Sequence, residues 1–269
     1  MPHRVARLCG GSLMLLVFDV GNTETTIGLC DGEEVTSRWR VTTDASRTPD
    51  EAYLLVRSLL DASGVGVATV TGAAIGSVVP AVTGPLAEAC ARLTGEPAVI
   101  VDARSRLPIV LDVDEPLTVG ADRIINTLAA SRLQHRDCIV VDLGTATTYD
   151  CITADGKFIG GVISPGVQMS AESLFRKTAK LTATELLPPS KVIGRRTEEC
   201  IRSGVVLGAA DAIDGLVRRI KAEWPGSQVP LVIATGGLAA SFMPLCKELD
   251  RLEPDLTLRG LAMAHAMLG

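Results

Sequence analysis

Three aspartates stand where a carboxylate could handle phosphate or move a proton: Asp19, Asp122 and Asp142. Asp19 ends an apolar run and opens the turn Asp19-Val20-Gly21-Asn22-Thr23. Gly21 lacks the side chain that would keep a ligand off the backbone, and Asn22 and Thr23 supply donors. Asp142 opens an analogous turn, Asp142-Leu143-Gly144-Thr145-Ala146-Thr147-Thr148, with the Thr145 hydroxyl beside a glycine. Such turns can cradle phosphates: peptide N–H groups and hydroxyls bind the oxyanions, while the carboxylate holds a hydrated cation that neutralises them. One Asp-x-Gly turn is equally a hairpin feature. Two copies point to phosphate.

Phosphoryl transfer needs positioning, charge neutralisation and a base for the acceptor hydroxyl. Val119-Gly120-Ala121-Asp122-Arg123 supplies the third carboxylate at the start of a helix, together with a guanidinium fork suited to a carboxylate or phosphate. Asp122 is then either the base or an ordinary first-turn residue that caps free N–H groups and suits the helix dipole. A third glycine turn, Ala234-Thr235-Gly236-Gly237, either admits a nucleotide's sugar or base or simply joins a strand to a helix. The sequence has no P-loop, no Rossmann glycine turn, no protein-kinase signature and no nucleophile elbow, so nucleotide binding falls to the paired cradles.

These turns need strands to hold them. Apolar runs at Leu15–Phe18, Val70–Val79, Ala98–Val101, Cys138–Val141 and Leu231–Ala234 read as strands buried on both faces. Helical patterns over Asp50–Leu60, Ile124–Leu133 and Val205–Ile220 lie between them, which is the α/β signature. The segment LLVFDVGNTETTIGLCDGEEV is echoed, 123 residues on, by CIVVDLGTATTYDCITADGKFIGG. Each reads strand, Asp-x-Gly turn, Thr-rich strand, then an acidic-glycine hairpin. The repeat predicts two similar α/β halves, residues 14–133 and 134–269, packed tightly with their Asp-x-Gly turns facing across a cleft. Residues 1–13 read as a poorly ordered extension ahead of an alternative start at Met14.

Composition narrows the function. Hydrophobic residues make up 47% of the 269, and only eight side chains are aromatic. With so few rings to stack bases and a net charge of −5, nucleic-acid binding is excluded. A 26-residue uncharged stretch from Ala62 to Ala87 is interrupted by Pro80 and Pro85 and reads as a buried strand, a proline turn and a helix start rather than a membrane span. Seven scattered cysteines without paired spacing point to a reducing compartment, the cytoplasm, and leave no zinc or disulfide framework.

In order, DVGNT, GADR, DLGTATT, GGVISPG, GRRT and ATGG resemble the type III pantothenate kinases over nearly the whole chain from Met14. The resemblance implies a duplicated actin-like (ribonuclease-H-type) ATPase fold and ATP-dependent phosphorylation of pantothenate. It assigns Asp19, Val20, Gly21, Asn22, Thr23, Glu24, Thr25, Thr26 and Thr145 to ATP, and Gly120, Ala121, Asp122, Arg123 and Thr197 to pantothenate. Asp122 would be the catalytic base, and Asp142 would hold the K⁺ or NH₄⁺ ion that the family requires, with Mg²⁺ accompanying ATP. Thr197 would complete the site of the other subunit in a homodimer. Where many members carry an aromatic ahead of GADR, this chain has Val113. The competing expectation is a non-catalytic, nucleotide-binding regulatory protein of the same fold, resembling the Bordetella-type accessory factors. Retention of Asp19, Asp122, Asp142 and Thr145 together argues against it.

Overall fold

The computed structural model describes residues 13–177 and 185–269. Of the extension expected at residues 1–13, all but Leu13 lies outside the described residues.

The first compact unit runs to Ser105 and includes Leu258–Gly269; the second spans Arg106–Thr257. In the first, β1 (Met14–Val20), β2 (Glu24–Asp31) and β3 (Glu34–Thr42) form an antiparallel meander. Helix α1 (Pro49–Ala62) follows, started by a capping box in which the Glu51 N–H donates to the Thr48 hydroxyl and the Thr48 N–H to the Glu51 carboxylate. Next come β4 (Val70–Ser77), α2 (Pro80–Thr94) and β5 (Val99–Val101), giving the sheet order β3-β2-β1-β4-β5. The uncharged stretch is thus chiefly a strand, a turn and the start of a helix, with Pro80 in the first turn of α2 and Pro85 inside the helix.

The second unit holds β6 (Val110–Leu111), α3 (Ala121–Gln134), β7 (Cys138–Leu143), β8 (Ala146–Ile152), β9 (Lys157–Pro165) and α4 (Val167–Lys177). Beyond these lie α5 (Thr197–Arg202), α6 (Gly208–Glu223), β10 (Leu231–Thr235), α7 (Ala239–Phe242) and β11 (Arg251–Leu252). Its sheet order, β11-β10-β7-β8-β9-β6, repeats that of the first unit with β6 added beside β9. Strand directions match as well: β1 and β7 each lie antiparallel to the following strand and parallel to β4 and β10 respectively. The duplication read from the sequence is therefore a duplication of topology.

The unit boundary differs from the expected 133/134 junction. Helix α3 packs on β7, β8 and β9, so it belongs to the second unit. The last helix, α8 (Leu256–Leu268), contributes residues from Leu258 onward to the first. Room for it comes from glycines: a Cβ on Gly28 would meet Leu258, and one on Gly72 would meet His265 at 2.6 Å.

Alternation on β1 sets the faces. Leu16, Phe18 and Val20 join Ile27, Leu29 and residues of α1 and α2 in one core. Asp19 and its cross-strand partner Thr26 lie on the opposite face. In the second unit Val141 and Leu143 face the core with α4, α6 and α7, whereas Cys138 and Val140 join Ala129, Ala130 and Leu256. Asp142 shares that second face, on which α3 packs.

Candidate active site

In the first turn, the Gly21 N–H donates to the Glu24 carbonyl at 3.1 Å. The Thr43 hydroxyl donates to the Gly21 carbonyl at 2.7 Å, and Thr25 backs it with a hydroxyl contact of 2.8 Å. A Cβ at Gly21 would stand only 3.0 Å from the Glu24 carbonyl, so a side chain there would crowd the tight turn. Of the eight residues assigned here, Val20 and Thr25 are buried on the α1/α2 face, and the exposed Glu24 pairs with Arg40 at 3.5 Å. Asn22 and Thr23 are exposed at the tip. Val20 and Thr25 therefore shape the turn from behind, and what the tip presents to solvent is backbone, Asn22 and Thr23.

The second unit gathers the remaining carboxylates. Asp142 accepts from the Asn126 amide at 3.3 Å, and Asn126 in turn accepts from the Thr257 hydroxyl at 2.9 Å. Burial, then the charge of Asp122, pushes the Asp142 carboxyl up to about 6. Asp122 occupies the first turn of α3, whose N-cap Gly120 offers no side-chain cap. Burial raises its carboxyl too, against the helix N–H groups and Arg123, which lower it. Gly236, at φ +90°, lies so close to Asp142 and Leu143 that any Cβ would collide with both. The third glycine turn thus makes its close approach to the second Asp turn, and the Leu238 N–H bonds the Leu143 carbonyl at 3.2 Å.

Arg123 is held on three sides. Its Nε donates to Asp150 Oδ1 at 2.5 Å, its guanidinium lies 4.8 Å from the Phe158 ring centroid, and Nη2 reaches the Tyr149 carbonyl at 3.5 Å. Asp150 is fully buried and has no exposure at all; burial lifts its carboxyl to about 7, opposed by Arg123. The sequence reading missed this residue. Its one signal was a carboxylate within the otherwise buried run Tyr149–Ile152 of β8.

Two glycines of the GGVISPG segment gain a physical reason here. A Cβ on Gly161 would collide with the Tyr149 carbonyl and lie 2.6 Å from Arg123 Nη2. One on Gly166 would collide with the carbonyls of Thr145 and Gly144, the backbone of the second phosphate turn. Thr197 is exposed at the first residue of α5, where the Glu199 carboxylate accepts from the Arg195 N–H at 2.7 Å. Among the described residues no group of three or more His, Cys, Asp or Glu could hold a metal.

The family model for type III pantothenate kinase matches residues 15–219, from β1 through most of α6. The chain belongs to the type III pantothenate kinase family. It is 44% identical over 254 residues to the type III pantothenate kinase of Roseiflexus castenholzii, covering 94% of this chain and 99% of that one. The enzyme of that name from Streptomyces coelicolor is 43% identical over 261 residues, covering 94% and 97%. Among solved structures, component A of (R)-2-hydroxyglutaryl-CoA dehydratase from Acidaminococcus fermentans superposes with a TM-score of 0.55 at 14% identity, covering 96% of this chain and 98% of that one. A Campylobacter jejuni structure titled as a Baf family transcriptional activator gives 0.58 at 15%, covering 94% and 98%. These structural likenesses carry the fold, which is the duplicated actin-like (ribonuclease-H-type) ATPase fold. In this pantothenate kinase family member, GADR spans the start of α3, and DLGTATT spans the end of β7, its turn and the start of β8. Among the described residues no helix is long and apolar enough to cross a membrane.

Proposed function

We propose that this chain transfers the γ-phosphoryl group of ATP to the primary hydroxyl of pantothenate, giving 4′-phosphopantothenate, the first step of coenzyme A synthesis. Family membership over nearly the full length supports the reaction. The single structural observation that carries it is that α3 holds Asp122, half-buried in its first turn, on the side of the helix from which Asn126, four residues on, bonds Asp142. Asp122 accepts the hydroxyl proton as the oxygen attacks in line. Gly120, Ala121 and Arg123 line the acceptor pocket with it, and Thr197 completes the pocket of the partner subunit in a cytoplasmic homodimer. Residues Asp19 through Thr26 and Thr145 contact ATP; Val20 and Thr25 act through their backbone, since their side chains are buried.

The residues fit a bound cation. Asp142 is a half-buried carboxylate whose one side-chain donor among the described residues is neutral, Asn126, and it feels the charge of a second carboxylate, Asp122, so its charge is under-compensated. A single protein carboxylate suits a weakly held K⁺ or NH₄⁺ ion at Asp142, and Mg²⁺ arrives with ATP. Such cations neutralise the charge on the phosphates and carboxylates. ADP release measured with pantothenate, in the presence and absence of K⁺, tests substrate and cation together. Pantothenate-dependent, K⁺-stimulated release is expected. Nucleotide binding without that release would favour the accessory-protein alternative.

A further inference from the structure

The pair Arg123–Asp150 is an unusual element to find in a protein core. Asp150 lies on β8, at the register position that Gly28 occupies on β2 of the first unit: Val17 pairs with Gly28, Val140 pairs with Asp150, and each valine stands two residues before its Asp-x-Gly aspartate. A carboxylate has replaced the smallest residue on the face where a helix packs. Buried ion pairs are poor stabilisers, because desolvation offsets most of the attraction, and apolar replacements are often as stable. This pair is also incomplete. Among the described residues only Oδ1 of Asp150 is bonded, to Arg123 Nε, while the buried Oδ2 has no hydrogen-bond partner. A pair formed for stability alone would be the two-pronged kind that satisfies both oxygens.

The geometry suits a different task. With Nε bound to Asp150, one face of the guanidinium on Phe158 and Nη2 turned to the Tyr149 carbonyl, Arg123 is fixed in direction and its Nη1 edge has no protein partner among the described residues. Gly161 clears the space that this placement needs. Adjacent residues on a helix point about 100° apart. In the reaction proposed above, Asp122 and Arg123 can therefore address two different parts of one acceptor, the base its hydroxyl and the cation its acid group. We propose that Asp150 is a positioning residue: it orients the Arg123 guanidinium to receive the carboxylate of the acceptor and so sets the preference for an acid substrate. The proposal rests on the pantothenate kinase reading above.

The test compares kcat/KM for pantothenate with that for pantothenyl alcohol, which keeps the hydroxyl that is phosphorylated and lacks the carboxylate. The parent is expected to favour the acid. Asp150→Asn and Arg123→Met are each expected to lower the acid-to-alcohol ratio at least tenfold, chiefly through KM for the acid. The double variant should show no further loss than Arg123→Met, since Asp150 acts through Arg123. A folded Asp150→Asn protein whose ratio stays within twofold of the parent overturns the proposal, as does an unchanged ratio in Arg123→Met. A purely structural pair would lower both substrates alike and leave the ratio intact. If Asp150→Asn does not fold, exchange of the Arg123 Nε–H with solvent in the parent decides, the signal being assigned by its loss in Arg123→Lys. Exchange slowed at least a hundredfold relative to free arginine supports the anchor; exchange at the free rate overturns it. Absence of any pantothenate-dependent ADP release by the parent would instead sink the functional reading.

Discussion

Replacing Asp122 with Asn separates the two roles that a first-turn aspartate can hold, because their magnitudes differ. Asp122 is the acidic residue in the first turn of α3, and its charge suits the helix dipole by about 0.3–1 kcal/mol. Burial disfavours that same charge, so the neutral amide recovers part of the loss. Asparagine also retains an acceptor oxygen for the free N–H groups. Folding stability should thus change by no more than about 1 kcal/mol, roughly 2 °C in Tm for a chain of this size. A general base contributes about 10²–10⁴-fold to the rate, or roughly 3–5 kcal/mol of barrier. Catalysis should therefore fall far beyond anything that the stability change explains. The assay is coupled ADP release at saturating ATP, pantothenate and K⁺, alongside a thermal melt and ATP binding by calorimetry. Lost turnover with an unshifted melt and intact ATP binding is expected. More than a tenth of the parental kcat would refute the assignment of the base, and a melt lowered by many degrees would refute the stability argument. In the parent, the base must be ionised and burial raises its carboxyl, so the acid limb of kcat/KM should lie above the ordinary carboxylate value of 3.8.

Gly161→Ala should destabilise the second unit by about 1–3 kcal/mol or more, since the added methyl overlaps the Tyr149 carbonyl in the β8–β9 ladder and crowds Arg123; an unchanged melt would contradict this. Asn126→Ala removes the donor to Asp142 and strands the buried Thr257 hydroxyl, costing about 1–3 kcal/mol in denaturant titrations. It should also raise the K⁺ concentration needed for half-maximal activity, and unchanged K⁺ activation would count against the cation at Asp142. Burial holds the Asp142 and Asp150 carboxyls at about 6 and about 7, so between pH 4 and 7 the folded chain keeps protons that the unfolded chain has released. Their contribution to stability is fully present below about pH 4 and is lost as pH rises through 7, by up to about 3 kcal/mol for Asp142. In buffer free of K⁺ and nucleotide, the denaturation midpoint should be lower at pH 8 than at pH 5, and less so in Asp142→Asn; a difference equal in parent and variant would contradict the sign.

What the sequence made legible was local. Apolar runs ending in Asp-x-Gly gave the strands and both turns, because a strand buried on two faces must be continuous in hydrophobicity and a tight turn needs glycine where side chains would collide. The repeat gave the doubled topology for the same reason, since each copy encodes its own meander. What stayed hidden depends on partners distant in sequence. Nothing within Leu258–Gly269 announces a return to the first sheet; the evidence lies at Gly28 and Gly72, whose missing side chains make room for it. GGVISPG reads as a motif, yet the reason for Gly161 is first the Tyr149 carbonyl on the neighbouring strand and then Arg123, 38 residues upstream, and the reason for Arg123's fixed direction is Asp150. Comparing the two copies makes this concrete. At matched positions, Gly28 admits an apolar side chain and Asp150 meets a guanidinium. One half keeps an apolar helix contact there, while the other places a charge pair beside Asp122. The duplicated scaffold is chemically unequal at this register position, and in the proposal above that inequality is what directs the Arg123 guanidinium toward the acceptor.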